Sequence, residues 1–175
     1  MTISRKQCFF AASLLLAGSA YAEVTVEINS VSADGIGDSL GTISAVDIEY
    51  GLLLTPDLQG LEHGMHGFHI HENPDCGPGE KDGKMVAGLA AGGHYDPENT
   101  GVHKGPYDPT GHLGDLPPLY VDPEGKASIP TLAPRLKESD LKGRSIMVHV
   151  HGDNFSDEPK PLGGGGGRMA CGVVK

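Results

Sequence analysis

Residues 65–71 read MHGFHIH, and the reading of this run decides the fold. Successive side chains of a strand point to opposite faces. Phe68 and Ile70 then share one face, which suits a core, and His69 and His71 share the other. The segment Ile146–His151 (IMVHVH) repeats the device, with Val148 and Val150 on one face and His149 and His151 on the other. Two strands that each present imidazoles form a platform for a transition metal, and imidazole suits copper and zinc.

Outward from these strands the pattern stays β. Val24–Ile28 (VTVEI) alternates apolar and polar residues, as a half-buried strand does. Thr42–Asp47, Gly51–Thr55 and Lys126–Pro130 read as further strands, with Asp34–Gly41 (DGIGDSLG) as a turn. Leu132–Leu141 reads as one helical turn. Short strands between Gly, Pro and Asp turns predict an antiparallel sandwich or barrel. With 27 glycines and 13 prolines, the chain has the turn residues for it. No repeat or domain boundary interrupts the 175 residues, a length ordinary for one β domain.

Two stretches read as loops. Glu72–Pro118 is rich in Gly, Pro, His and Asp and lacks periodicity, and Gly152–Gly167 ends in five consecutive glycines. Loops of such length in a compact domain are usually functional or disordered. The first carries His94, His103, His112 and Asp115. Three imidazoles and one carboxylate make a full tetrahedral set, as a closed zinc site requires. The expectation is a loop ordered by metal.

The amino terminus reads as a leader. Arg5 and Lys6 precede an apolar run, Phe9–Ala17 (FFAASLLLA), and Ala20-Tyr21-Ala22 has the small-x-small form of a cleavage site. The run is too short to span a bilayer. The mature chain is expected to begin at Glu23 and to be exported. Cleavage removes two of the 13 basic residues and none of the 23 acidic ones, which leaves a net charge of −12. That balance argues against a nucleic-acid surface, and no other segment is apolar enough to cross a membrane. Two cysteines remain, Cys76 and Cys171. In an exported protein they are expected to pair, with two buried thiols as the alternative.

Longer strings carry a resemblance. GFHIHENPDC (Gly67–Cys76) and GGGGRMACGVV (Gly164–Val174) resemble the two signatures of the copper, zinc superoxide dismutases. AGGHYDP (Ala91–Pro97), GHLGDL (Gly111–Leu116) and MVHVHGDN (Met147–Asn154) are similar to the same family, and DNFSDEPKPLGGGG (Asp153–Gly166) resembles its periplasmic bacterial branch. The resemblance covers essentially all of residues 23–175. It implies an eight-stranded Greek-key β-barrel with two long functional loops. It also implies one copper and one zinc per subunit, and conversion of superoxide to oxygen and hydrogen peroxide as antioxidant defence in the periplasm.

The resemblance further implies roles. Copper would be held by His69, His71, His94 and His149, and zinc by His94, His103, His112 and Asp115, with His94 shared. Arg168 would guide the anion beside copper. Asp153 would join a copper histidine to a zinc histidine, a role that residue order alone also allows for Asp157. His66 would support the site without being a ligand, and Cys76 and Cys171 would form the family's disulfide. His151 stands where the family carries a small residue, and it reads as exposed or as a support behind the ligands, while His63 reads as a surface residue. Relatives include monomers and homodimers, and the sequence does not choose between them. Two other readings of the same residues are a non-catalytic metal store and a zinc hydrolase. The complete ligand set with Arg168 argues against the first, and the full coordination of zinc against the second.

Overall fold

Eleven strands run through the computed structural model, which describes residues 23–175. They are β1 (Glu23–Ser32), β2 (Gly35–Ile48), β3 (Gly51–Leu58), β4 (Gly64–His66), β5 (Phe68–His71), β6 (Gly79–Lys81), β7 (Lys84–Val86), β8 (Leu119–Val121), β9 (Thr131–Ala133), β10 (Ser145–His149) and β11 (Arg168–Val173). Three 3-10 turns and no α-helix occur among the described residues. The leader expected over residues 1–22 lies outside the described residues. No described helix is long and apolar enough to cross a membrane.

The main sheet is antiparallel, in the order β5-β10-β11-β1-β2-β3-β9. It has seven strands rather than the expected eight. An eighth ribbon appears when β4 and β5 are counted as one strand interrupted at Gly67. The Gly67 N–H donates to the His151 carbonyl at 2.7 Å, and the Gly67 carbonyl accepts from the His149 N–H at 2.8 Å. Pairing with β10 thus continues across the break, and β8 pairs with β4. Beyond β8, a tight turn from Asp122 to Lys126 leads to Ala127, which exchanges both backbone bonds with Leu58 of β3. These links carry the chain between the two ends of the curled sheet.

The core follows the strand period of two. Val26 and Ile28, Ile43 and Ala45, Leu52 and Leu54, Phe68 and Ile70, and Ile146 and Val148 all pack into one buried cluster. The intervening residues of β5 and β10 face outward. They are buried nonetheless, because the long loops lie over them. A site built on His69, His71 and His149 therefore sits outside the barrel and beneath its loops.

Several local expectations need correction. Asp34–Gly41 is mostly strand, because β2 begins at Gly35. Two register irregularities in β1 let this glycine-rich segment stay paired. Lys126–Pro130 is not a strand. Only Ala127 pairs there, and Pro130 has no N–H to donate. Strand β10 stops at His149, and His151 lies exposed beyond it. The first loop holds a small hairpin, β6–β7, whose residues alternate too briefly to show a period. The helical turn in Leu132–Leu141 is a 3-10 turn at Glu138–Asp140.

Cys76 and Cys171 form a disulfide with a Cα–Cα distance of 5.7 Å. It fastens the first loop to β11. Removing a native disulfide from a small exported domain costs about 2–5 kcal/mol. Cys76→Ser is therefore expected to lower the unfolding free energy by roughly that amount, as denaturant titration would measure. A loss under about 0.5 kcal/mol would remove the disulfide from the account of stability.

Candidate metal centre

The first loop returns to β5 as an irregular extra strand. The Tyr95 N–H donates to Ile70, the Ile70 N–H to Gly114 and the Leu116 N–H to Phe68, at 2.8, 2.8 and 3.2 Å. Isolated bridges pair His71 with His94 and His69 with Asp115. Backbone pairing thus brings side chains 21 and more residues apart into one cluster. His69, His71, His94, His103, His112, Asp115 and His149 are all buried.

Two overlapping groups each place one ligand atom per residue within 4.8 Å of the others. One is His69, His71, His94 and His149, and the other is His69, His94, His103 and Asp115. As does His69, His94 belongs to both. Its Nδ1 lies 2.9 Å from Asp115 Oδ1, while its Nε2 is buried without a hydrogen-bond partner. The second group contains His69 where His112 was expected. His112 stands at its edge, with Nδ1 3.5 Å from Asp115 Oδ1 and its ring 5.4 Å from that of His94. In the first group, Nε2 of His71 and Nε2 of His149 face each other at 3.3 Å.

The unpartnered atoms test whether metals fit. His69 Nδ1, His94 Nε2 and His112 Nδ1 are buried and make no hydrogen bond, and His103 Nδ1 faces only the Asp115 carboxylate at 2.9 Å. An orphaned buried polar atom costs about 1–3 kcal/mol. Three in one cluster are a cost that bound cations would remove. The opposite ring nitrogens of His69, His94 and His103 are engaged, as are Nδ1 of His71 and of His149. His69 Nε2 meets Asp153 at 2.7 Å, His71 Nδ1 donates to the Gly92 carbonyl at 3.0 Å, and His149 Nδ1 faces the Gly166 carbonyl at 3.2 Å. Such bonds set each ring's tautomer and turn the other nitrogen toward a metal.

Electrostatics sort the histidines into two kinds. Burial, then the neighbouring His94, holds His69 and His71 well below the usual imidazole range. Burial lowers His94, and burial with His94 lowers His149 to about 4. Neutral imidazoles are what a metal binds. His103 behaves otherwise. Burial opposes its charge, but Asp115 and Asp153 outweigh it and raise its pKa to about 9. The same contacts hold both carboxyls well below their ordinary range against the opposing effect of burial.

Asp153 occupies a pivotal place. Its Oδ2 meets His69 Nε2 at 2.7 Å, and its Oδ1 meets His103 Nε2 at 2.8 Å. Asp157 does something different, accepting from the backbone N–H groups of His103 and Leu162 at 2.9 and 3.0 Å. Gly163 makes room for the Asp153 bridge: its φ is +70°, and a Cβ there would run into the Asp153 carboxylate. Gly67 is confined to a lesser degree, since a Cβ would lie 3.1 Å from His69 Cε1 and 3.3 Å from His149 Cβ.

Arg168 begins β11, and its guanidinium donates to the carbonyls of Gly88 and Gly92. Its charge contributes to lowering His71 and His149, so it stands on the His71–His149 side of the cluster. His66 directs both ring nitrogens to carbonyls, those of His149 at 2.9 Å and Glu62 at 2.8 Å, and offers none to the cluster. His63 is exposed and faces the Val121 carbonyl at 2.8 Å. The sequence reading missed Arg135, which reaches the first loop from beyond β9 and donates to four of its carbonyls. Nothing in the local pattern around Pro134-Arg135-Leu136 marks that role.

Comparison with known proteins finds similar sequences and structures. Residues 40–174 match the family model described as copper/zinc superoxide dismutase. Over 167 residues the chain is 56% identical to Cu-Zn superoxide dismutase 1 of Salmonella typhimurium, covering 94% of each chain. The structure of the Brucella abortus Cu/Zn superoxide dismutase superposes with a TM-score of 0.86 at 51% identity, over 88% of this chain and 100% of that one. The solution structure of the monomeric Salmonella enterica enzyme gives 0.79 at 55% identity, with the same coverage.

Proposed function

The chain belongs to the copper/zinc superoxide dismutase family, and from that premise we propose how its own residues carry the reaction. It is an oxidoreductase acting on superoxide, with one copper and one zinc as cofactors. We assign copper to His69, His71, His94 and His149, and zinc to His94, His103, His112 and Asp115. The observation that carries the assignment is His94. Like His69 it is common to both groups, but it alone of the two turns a ring nitrogen to Asp115, with Nδ1 toward that carboxylate and Nε2 buried and unpartnered.

Bound copper supplies one-electron redox chemistry, by which one superoxide becomes oxygen and a second, with two protons, becomes hydrogen peroxide. The protein's part is positioning, proton holding and attraction. Asp153 fixes the His69 and His103 rings together, so the two sites share one frame. His94 Nε2 is the atom we assign to hold a proton for the product. His66 holds the end of β10 through the His149 carbonyl. Arg168 is the cation beside the site, with its guanidinium braced by two carbonyls of the first loop. In a chain with a net charge of −12 once residues 1–22 are removed, a local cation is needed to draw in a small anion. A guanidinium offers that anion a fixed donor fork.

Metal-loaded chain should dismute superoxide, measured by direct decay of superoxide absorbance. A folded, fully metallated sample without activity would overturn the assignment. Arg168→Gln is expected to lower kcat/KM by roughly tenfold and to flatten its dependence on salt, because steering by local charge falls with ionic strength. An unchanged salt profile would remove Arg168 from substrate attraction.

We further propose that residues 1–22 are a cleaved leader and that residues 23–175 act in the periplasm. The leader-like pattern of Arg5, Lys6 and Ala20-Tyr21-Ala22 supports this, as do the bacterial relatives. N-terminal sequencing of periplasmic protein should begin at Glu23. The homodimer stands as the alternative to a monomer such as the Salmonella enterica relative, and sedimentation decides between them.

A further inference from the structure

We propose that Arg135 is a positioning residue for the zinc site, organising the ligand-bearing loop before metal arrives; the inference rests on the zinc assignment above. The segment from His103 to Asp115 carries three of the four assigned zinc ligands. Between them the chain turns back on itself through short local bonds, among them Gly105 N–H to Asp115 and Thr110 N–H to Asp108. The His112 N–H reaches the Val102 carbonyl at 3.1 Å, and the Gly111 N–H reaches Asp108 at 3.3 Å. The carbonyls of Gly105, Pro106, Gly111 and His112 belong to buried residues, yet no backbone N–H among the described residues donates to any of them.

Arg135 supplies the missing donors. Nε donates to Pro106 at 3.0 Å, Nη1 to Gly111 at 3.2 Å, and Nη2 to Gly105 at 3.3 Å and to His112. These acceptors flank both arms of the turn, just after His103 and at His112 itself. One rigid guanidinium therefore sets the spacing between two zinc ligands. Arginine carries five donors in a fixed fork, whereas lysine carries three on a flexible stem. Arg135 comes from the stretch following β9, whose Ala133 pairs with Leu52 of the barrel. The loop is thereby referenced to the barrel wall rather than only to itself.

A positive charge near a cation site also repels the cation, and that effect has the opposite sign. Geometry decides here. Four carbonyl oxygens turn their negative ends toward the guanidinium and screen it. Removing it strands four buried acceptors, each of which the loop can satisfy only by moving out toward water. Such movement would carry His103 and His112 away from Asp115.

The test compares the full chain with Arg135→Lys and Arg135→Gln. Zinc affinity is measured by competition with a chromophoric chelator. Cobalt(II) in the zinc site reports ligand geometry, and hydrogen exchange of residues 105–114 in metal-free protein reports preorganisation. Both variants are expected to bind zinc roughly tenfold more weakly, the scale on which supports behind metal ligands act. Cobalt absorption should be altered and exchange faster in the metal-free state, while copper affinity, three of whose four assigned ligands lie on β5 and β10, changes less than zinc affinity. Should Arg135→Gln fail to fold, Arg135→Lys decides, since it keeps the charge and the stem. Zinc affinity and exchange both unchanged would overturn the inference, as would tighter zinc binding. His112→Ala separates this from the underlying assignment: if it binds zinc as the parent does, the zinc site itself has been misassigned.

Discussion

Replacing His94 with alanine is expected to end dismutation and to weaken both metal sites together. The reason lies in how the ring is held. Nδ1 faces the Asp115 carboxylate at 2.9 Å, and Nε2 is buried and unpartnered among His69, His71 and His149. The His94 ring also stacks on His69, with centroids 3.8 Å apart, and its edge meets His103 at 5.4 Å. Alanine removes one ligand atom from each group and empties the space between them. Loss of a hydrogen-bonding support behind a ligand already costs about 10–100-fold in metal affinity, and loss of the ligand itself should exceed that. Metal analysis after dialysis, with superoxide decay on the same samples, makes the measurement. Copper lost alone, with zinc retained at parental affinity, would contradict a shared His94.

Asp153→Asn is expected to weaken both sites by about 10–100-fold while the barrel stays folded. The carboxylate accepts from two imidazoles at once, His69 at 2.7 Å and His103 at 2.8 Å. An asparagine amide has one acceptor oxygen and an NH2 group. It can serve one ring only, and it turns a donor toward the other. Both rings are completely buried, so water does not replace the lost acceptor. Chelator competition for each metal would measure the effect. Asp157→Asn provides the contrast, because Asp157 meets only backbone N–H groups and touches no imidazole. If Asp153→Asn perturbs zinc but leaves copper binding intact, the bridge does not couple the sites.

How much of this was legible beforehand depends on the range of the forces involved. The alternation of Phe68, His69, Ile70 and His71 is a local property. Two faces of one strand required only that neighbours differ, and the buried core of Phe68 and Ile70 follows from it. The same alternation failed at His151, since the strand ends at His149 and the pairing shifts between Val148 and His149. A bulge costs one residue of register and turns the next side chain elsewhere. Lys126–Pro130 failed for a related reason: an apolar pattern does not show whether a partner strand lies alongside.

The sequence by itself determined the class of fold, the presence of a histidine cluster and, through its long signatures, the family. These rest on residue identity and on short periods that neighbouring residues enforce. Only the tertiary structure separated Asp153 from Asp157, four residues apart in one loop. One carboxylate meets two imidazoles and the other two backbone amides. It likewise brought Arg135 to carbonyls 23 to 30 residues away. A carbonyl without a donor leaves no trace in the letters of a sequence. It becomes visible, and demands a partner, only when folding has taken it out of water.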